Sequence, residues 1–290
     1  MKRMLGVLML VLVSVATACE KPTPEQQLAK LKARAAAGNA AAQDSLGFMY
    51  GTGAGVPQDY AEAMKWYRLA AAQGDATAQF NLGVIYNNGT GVAEDKTEAV
   101  KWFRLAAAQG YAKAQTNLGV MYSDGTGVPV DKAEAVKWYR LAAAQGSASA
   151  QFNLGVMYDN GTGVPVDKAE AVKWYRLAAA QGDADAQNNL GNMYHRGEGV
   201  PEDDTEAVKW LRLAAAQGNA SAQYNLGTMY YLGKGVPEDY VQTYKWWNLA
   251  AASGDTSAVK WKNIVAEKMT KEQIVEAQRL STAFKPTKTP

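Results

Sequence analysis

Residues 147–182 read SASAQFNLGVMYDNGTGVPVDKAEAVKWYRLAAAQG, and a shift of 36 residues in either direction places this stretch on a near-copy of itself. Tryptophans mark the register, because one recurs every 36 residues without an insertion: Trp66, Trp102, Trp138, Trp174, Trp210 and Trp246. A fixed period of this length is typical of a solenoid, in which each unit covers the apolar face of its neighbour. Six units fill residues 39–254: 39–74, 75–110, 111–146, 147–182, 183–218 and 219–254.

The quoted unit contains two helical patterns separated by a glycine-rich loop. Apolar and small residues recur at spacings of three and four between Ala150 and Tyr158, which indicates one face of a helix. A second helix is predicted to begin at Asp167, whose carboxylate can accept from first-turn amides while Glu170 reaches back, as in a capping box. Gly182 follows an alanine-rich end and favours the left-handed conformation that closes a helix. Each unit is therefore predicted to be a helix, a loop of about seven residues, a helix and a tight turn.

A glycine interrupts the first helix of every unit, and such a glycine costs about 1 kcal/mol relative to alanine. It recurs at Gly47, Gly83, Gly119, Gly155, Gly191 and Gly227. We therefore expect the backbone of a neighbouring helix to come too close there for any side chain. In the second helix, Trp174 and Leu177 are expected to supply most of the buried area.

These patterns predict an all-α fold, a right-handed α-solenoid superhelix of six helix-loop-helix repeats with capping helices at both ends. Thr23-Pro24-Glu25-Gln26 predicts the start of an N-terminal capping helix over residues 25–38. A C-terminal cap is predicted over residues 255–284, with its last helix capped by Thr270. Residues 285–290, which include two prolines, are expected to form a disordered tail.

The first 18 residues predict a signal peptide for export. Lys2 and Arg3 precede an uncharged run over residues 4–18, which ends in the small residues Ala16-Thr17-Ala18. A retained transmembrane anchor is the alternative, although the run is short for a bilayer.

Cys19, the only cysteine of the chain, follows this segment directly. Ala16-Thr17-Ala18-Cys19 resembles the lipobox of bacterial lipoproteins. The resemblance implies lipidation at Cys19, a tether over residues 19–24 and, with Glu20 next in the chain, a periplasmic protein anchored to the outer membrane. Simple cleavage after Ala18 would instead leave a free thiol, which is unusual in an oxidising compartment.

Leu154-Gly155-Val156-Met157-Tyr158, followed by Ala171 and Tyr175, resembles the tetratricopeptide pattern, with a repeat of 36 residues instead of 34. The loop over residues 161–167 and the Ala-Ala-Ala-Gln-Gly ending at 178–182 are similar to the Sel-one-like repeat family. The resemblance covers residues 39–254. It implies an adaptor whose concave groove, lined by the first helices, holds a protein or a peptide, and bacterial relatives are often exported.

Residues suited to catalysis or to metal binding are few. His195 is the only histidine and occupies a position that varies between units, so we expect a surface or groove residue there rather than a general base. One histidine and one cysteine predict neither a metal site nor a cofactor. The glycine-rich loops, such as residues 51–55, join two helices and recur in each unit, which favours turns over phosphate binding.

Two alternative functions remain open. Ser257 and Lys260 match the S-x-x-K pattern of penicillin-recognising enzymes, so a cell-wall enzyme is one alternative, although S-D-N and K-T-G are absent. An intracellular scaffold, in which residues 1–18 are not a signal, is the other. The chain has 30 basic and 28 acidic residues, and removal of Lys2 and Arg3 with the signal peptide would leave 28 of each. A mature protein without net charge argues against nucleic-acid binding.

The stripe opposite the buried face of each first helix is the candidate binding surface. Asparagine recurs there in five units, and a carboxamide can both donate to and accept from a peptide backbone. The alternative is that these amides merely hold neighbouring units together. The preceding position changes from unit to unit, as a surface that discriminates ligands would, although partial burial of its aromatic rings is the alternative. The predicted peptide-binding residues are Phe80, Asn81, Asn117, Phe152, Asn153, Asn189, His195, Tyr224 and Asn225.

The sequence thus predicts a non-enzymatic adaptor that binds a protein or peptide of unknown identity through the concave face of the solenoid in the bacterial cell envelope. We expect it to be monomeric, to bind no nucleic acid and to contact the membrane only through its N-terminal lipid.

Overall fold

The computed structural model describes residues 23–287 of the chain. The predicted signal peptide, the lipidation site Cys19 and most of the predicted tether lie outside the described residues. Within residues 23–287 the chain forms fifteen α-helices and no strand. None of these helices is long and apolar enough to cross a membrane.

The chain divides into two compact units, residues 1–73 and 74–290. The described part of the first contains α1 (Pro24–Ala36), α2 (Ala40–Thr52) and α3 (Tyr60–Ala72). The second contains α4 (Ala76–Asn88), α5 (Lys96–Ala108), α6 (Ala112–Asp124), α7 (Lys132–Ala144), α8 (Ala148–Asn160), α9 (Lys168–Ala180), α10 (Ala184–Arg196), α11 (Asp204–Ala216), α12 (Ala220–Leu232), α13 (Tyr240–Ala252), α14 (Thr256–Ala266) and α15 (Lys271–Thr282).

The predicted unit of two helices is confirmed. In the fourth repeat α8 and α9 are separated by residues 161–167, and a turn over residues 181–183 leads into α10. Gly182 has φ of 93°, in the left-handed region where glycine carries no steric penalty. The N-terminal helix is also confirmed, since α1 begins with a capping box formed by Thr23 and Gln26.

The predicted cap of the second helix is only half formed. Asp167 accepts from the backbone N–H of Glu170 at 2.9 Å, as expected. The reciprocal bond is missing, because the Glu170 carboxylate binds Lys173 at 2.7 Å instead. The same Glu–Lys pair forms in the second helices α3, α5, α7 and α11. Among the described helices a complete capping box occurs at α1 and α15, which are capped by Thr23 and Thr270.

Each core cluster of the second unit joins the second helix of one repeat to the first helix of the next. The cluster between α9 and α10, for example, buries Val172 and Tyr175 against Leu190 and Met193. Stacking of this kind gives each repeat a covered apolar face only when a neighbour is present. This arrangement confirms an all-α repeat solenoid.

The expectation for Trp174 and Leu177 is wrong. Leu177 is 49% exposed and Trp174 is half-buried, whereas Tyr175 is 1% exposed. Leu177 lies on the side of α9 that carries the exposed Lys173 and Arg176. The buried positions beside it are Ala178 and Ala179, whose small side chains allow the next helix to pack closely.

The reason proposed for the internal glycine is also wrong in part. The neighbour of Gly155 is an aromatic ring and not a backbone, since a Cβ added there would lie 2.7 Å from the Tyr175 ring. The partner of the equivalent glycine is a ring in five of the six repeats. Gly191 alone faces a leucine, Leu211, and in this repeat the Ala207 carbonyl also lies 3.1 Å from the added Cβ.

The C-terminal cap consists of α14 and α15, which pack against α13. The predicted disorder does not extend to residues 285–287. Thr287 donates its backbone N–H to the Ala216 carbonyl at 2.8 Å, and Phe284 packs edge-on against Trp246, with ring centroids 5.8 Å apart. The repeat pattern could not predict these contacts because the tail lies outside its register.

Candidate functional site

The stripe opposite the core lies on the first helices α4, α6, α8, α10 and α12. In α8 it consists of residues 152, 153, 156, 159 and 160, of which only Asn160 is fully exposed. First helices of consecutive repeats contact each other, as α6 does α8 and α10 does α12. The stripes therefore lie side by side, and we call the surface they form within the second unit the first-helix face.

The predicted asparagines of this face divide into two groups. Asn225 donates to the side-chain oxygen of Asn188 at 3.0 Å, and Asn189 bonds to the Tyr175 hydroxyl. Asn81 also interacts with another part of the chain. The bonds of Asn189 and Asn225 are of the kind expected if these amides hold the fold together. Asn117 and Asn153 make no hydrogen bond to any residue in the range 23–287, so their amides remain available to a ligand.

The aromatic residues predicted to anchor a ligand are half-buried. The Phe80 ring centroid lies 5.7 Å from that of Phe103 and 5.1 Å from that of Tyr111 in the next repeat. The Phe152 centroid lies 6.0 Å from that of Tyr175, and Tyr224 stacks on Trp247 at 6.1 Å. Part of each ring thus stabilises contacts within or between repeats, and only the remaining part faces solvent.

A column that is not among the predicted peptide-binding residues lies one helical turn after the variable position. It contains Val84, Val120, Val156, Asn192 and Thr228, and Val120 is 41% exposed. The signal was present in the sequence, because these residues share one register and change from apolar to polar along the chain. The first-helix face is therefore more apolar in its second to fourth repeats than in its fifth and sixth.

His195 does not stand free on this face. Its Nδ1 pairs with Asp204 Oδ1 at the start of α11, and Asp204 also lies 3.7 Å from the Lys234 ammonium. In the equivalent pair of the fourth repeat the acidic residue, Asp159, is on the first helix and its basic partner, Lys168, is on the second. Both pairs tie the end of a first helix to the start of the second helix in the same repeat.

The charges at the fourth and fifth repeats are balanced internally. Lys168 bonds Asp159 and lies 3.3 Å from Glu198, and the bond to Asp159 raises the pKa of the Lys168 ammonium. Burial, and after it the Asp159 carboxylate, raises the pKa of Tyr175. The lysine therefore stays charged and the phenol stays protonated at neutral pH.

Two cavities open on the first-helix face at equivalent places. One, of about 280 Å³, lies between the second and third repeats beside Asn117 and Val120. The other, of about 110 Å³, lies between the fourth and fifth repeats beside Asn189 and Asn192. The face thus offers indentations at the repeat junctions, where side chains of a bound chain can insert.

The residues considered for catalysis are on a different element. Ser257 and Lys260 are exposed on α14, and the Lys260 ammonium lies over the Trp261 ring, 5.7 Å from its centroid. No group of three or more histidine, cysteine, aspartate or glutamate side chains in the described part of the chain is placed to hold a metal ion.

Comparisons with known proteins agree with the architecture. The pattern of the Sel1 repeat matches six consecutive segments, each beginning one residue later than the units read from the sequence: 40–75, 76–111, 112–147, 148–183, 184–219 and 220–255. None of the curated proteins compared with the chain matches it.

Two solved structures are similar over most of the chain. A protective antigen present in uropathogenic Escherichia coli strains, with an SLR fold, is 42% identical with a TM-score of 0.80, and the match covers 88% of this chain and 56% of the antigen. The chain thus spans about half the length of that relative. A Sel1 repeat protein from Oxalobacter formigenes is 37% identical with a TM-score of 0.66, and the match covers 77% of this chain and 94% of that protein.

Sel1-repeat proteins generally act as protein-interaction scaffolds and are typically non-catalytic. The six matched repeats account for most of the chain, from residue 40 to residue 255. This chain therefore belongs to the Sel1 repeat family.

Proposed function

We propose that this chain is a non-enzymatic adaptor of the bacterial cell envelope that binds a protein or peptide along the first-helix face. The observation that carries the proposal is that side-chain amides without a hydrogen-bond partner and apolar side chains lie near each other on this face, one set in each of two consecutive repeats. Asn117 and Asn153 have no hydrogen-bond partner within residues 23–287. Each has a valine three residues later, Val120 or Val156. Unpaired amides of this kind can bond the backbone of an extended chain whatever its side chains are.

The valines supply the apolar part of this interaction. Val120 is 41% exposed, and Val156 is half-buried at the equivalent position one repeat later. Burial of such side chains under a bound peptide contributes about 25 cal/mol per Å² of apolar surface covered. The amides then orient the ligand while the valines and the half-buried rings of Phe80 and Phe152 contribute affinity.

Photo-cross-linking in intact cells tests this proposal within a single repeat. Benzoylphenylalanine is introduced at Val156, on the first-helix face, and in a matched variant at Lys173, whose side chain is 67% exposed on α9. We expect partner adducts from position 156 and not from position 173. Removing both amides by Asn117→Ala and Asn153→Ala should weaken capture about tenfold, because two hydrogen bonds to the ligand contribute about 0.5–1.5 kcal/mol each.

The same double variant must keep its fold for the result to count. The two amides bond nothing within residues 23–287, so the thermal unfolding curve should be nearly unchanged. Equal adduct yields from positions 156 and 173, or capture that the double variant leaves unaffected, would contradict binding at this face.

The envelope location rests on the N-terminal sequence. We infer that residues 1–18 are removed and that Cys19 is acylated, because a short uncharged run ends in a small-residue site directly before the only cysteine.

Intact-mass spectrometry of the protein extracted from membranes of the producing cell tests this location. We expect the mass of residues 19–290 with a diacylglyceryl group, and release of unacylated protein from membranes in the Cys19→Ser variant. A protein that retains Met1 would contradict export and would favour an intracellular scaffold.

A further inference from the structure

The larger cavity of the first-helix face lies between the second and third repeats and has a distinct chemistry. Its volume is about 280 Å³, and its lining includes Asn87, Phe103, Asn117, Val120, Asp124 and Thr126. A pocket for a small organic ligand usually measures 300–1,000 Å³, so a space of this size suits one long side chain.

The aromatic residue below this cavity differs from its equivalents in the next two repeats. Phe103 occupies the register position of Tyr139 and Tyr175 in the next two repeats. The Tyr175 hydroxyl bonds both Asp159 and Asn189, which are the equivalents of Asn87 and Asn117. Phe103 has no hydroxyl and offers no such bond, and the Asn117 amide has no partner among residues 23–287.

The rim of the cavity carries an exposed carboxylate, that of Asp124, without a cationic partner in the described part of the chain. Asp124 accepts from the Thr126 backbone N–H at 2.9 Å, but no cation within residues 23–287 lies within 4.0 Å of its carboxylate. Two lysines of the surrounding helix starts are engaged elsewhere. Lys96 is paired with Glu94 at 3.3 Å and donates to the Asn87 backbone carbonyl, and Lys132 donates to the Ser123 hydroxyl at 3.2 Å.

The equivalent cavity between the fourth and fifth repeats lacks this charge imbalance. Arg196 takes the place of Asp124 there and lies 3.9 Å from Glu198. Lys168 bridges Glu198 and Asp159. These groups neutralise one another, and the cavity is smaller, about 110 Å³.

We propose that the cavity between the second and third repeats binds a lysine or arginine side chain of the chain that occupies the first-helix face, an inference that rests on the proposed function. The cationic head meets the Asp124 carboxylate and the side-chain oxygens of Asn87 and Asn117, and such charge-assisted hydrogen bonds are stronger than neutral ones. The aliphatic stem packs against Val120, and the Phe103 ring below offers a cation–π contact. We call this site the cation pocket.

The charge at the rim argues for a cation over other ligands. An acidic side chain would meet the Asp124 carboxylate without any compensating positive group in the lining. A neutral apolar side chain would cover the half-buried Asn117 amide without offering it a hydrogen bond, which disfavours it. Arg196 occupies the register position of Asp124 two repeats later, so the preference for a cation is specific to the junction of the second and third repeats.

The test uses small probes that need no natural partner. N-acetyl-arginine amide and N-acetyl-lysine amide are titrated into the purified chain, and binding is followed by the side-chain amide NMR signals of Asn87 and Asn117. N-acetyl-norleucine amide is the neutral control of similar length. We expect both cationic probes to bind at millimolar concentration and at least tenfold more tightly than the norleucine probe.

Two variants locate the binding. Asp124→Asn keeps the shape of the side chain and removes its charge, and should weaken binding of the cationic probes at least fivefold. Phe103→Tyr places in this repeat the residue that Tyr139 and Tyr175 supply elsewhere, so it should fold normally, narrow the cavity and weaken binding of the cationic probes at least fivefold. Asp159→Asn, at the internally neutralised cavity, should leave probe affinity unchanged.

Equal affinity for the arginine and norleucine probes, or cationic binding unaffected by Asp124→Asn and by Phe103→Tyr, would overturn the inference. The outcome is independent of the cross-linking test, because the probes are free amino-acid amides. Retained probe binding with cross-links only from the second helices would contradict the proposed function and leave the cation pocket in place.

Discussion

At the scale of single residues, the pairing of a glycine with a ring decides how closely the two helices of a repeat approach. Gly155 on α8 lies under the Tyr175 ring, which is 1% exposed. The ring can lie flat on the helix backbone only because no Cβ is present. The sequence predicted crowding at this glycine but not the group responsible, since Trp174 and Tyr175 are adjacent aromatics and the repeat pattern does not distinguish which of them turns inward.

This pairing predicts opposite outcomes for two helical glycines. In Gly155→Ala the new Cβ would lie 2.7 Å from a rigid ring, and overpacking of this kind costs about 1–3 kcal/mol. That cost exceeds the gain of up to about 1 kcal/mol in helix propensity. We therefore expect net destabilisation, measured as a lower midpoint in urea unfolding followed by circular dichroism.

Gly51→Ala is the matched control. Gly51 is also in a first helix, but its added Cβ would lie 3.7 Å from the Ala63 Cβ, which is ordinary van der Waals contact. This variant should be neutral or more stable by up to about 1 kcal/mol. A rise in the midpoint for both variants would show that the ring does not restrict position 155.

At the scale of the helices, buried glutamines connect three elements at each junction. Gln151 on α8 donates to the Ala143 carbonyl of α7 at 3.1 Å and accepts from Gln181, at the end of α9, at 2.7 Å. Its side chain is almost completely buried, so these bonds also satisfy polar atoms that water cannot reach. The same network recurs at Gln115 with Gln145 and at Gln187 with Gln217.

The network is incomplete in the sixth repeat. Gln223 still donates to the Ala215 carbonyl, at 3.3 Å, but Ser253 stands where the other repeats have the donating glutamine. The Gln223 Oε1 atom is buried without a hydrogen-bond partner in the described part of the chain. A buried acceptor left unpaired destabilises the fold by about 1–3 kcal/mol.

Ser253→Gln should therefore stabilise the protein by about 1 kcal/mol, because it restores the donor to Gln223 at the net value of one hydrogen bond. Ser253→Ala removes only the Ser253 hydroxyl, which donates to the Leu249 carbonyl at 3.3 Å, and should bring no gain. Thermal unfolding of both variants measures the difference. Equal stability of the glutamine and alanine variants would show that the lack of a donor to Gln223 Oε1 does not destabilise the sixth repeat.

For the second helices, the sequence predicted the ends of the helix better than it predicted the buried side. The cap at Asp167 and the stop at Gly182 locate α9 well, because each uses a residue type with a specific backbone role. Which side of the helix is buried was predicted less well, since Leu177 is 49% exposed and the buried positions belong to alanines. Close packing selects small residues there, and a hydrophobicity pattern does not reveal that preference.

At the scale of the whole molecule, an exact repeat of sequence does not produce an exact repeat of function. The candidate asparagines share one register, yet Asn189 is bonded to Tyr175 while Asn117 and Asn153 are not bonded within residues 23–287. The fold follows from the residues that every repeat shares. The binding properties follow from the few that differ, and their effect depends on side-chain contacts between repeats that periodicity cannot show.

The central claim is that the first-helix face, and not the outer face of the second helices, contacts the partner. Extending the cross-linking across three repeats tests it most directly, by comparing adduct yields at Val84, Val120 and Val156 with those at Lys101, Lys137 and Lys173. The account predicts a track of adducts along the valine positions and none above background at the lysines. Adducts of equal yield on both faces, or a track that follows the lysines, would contradict it.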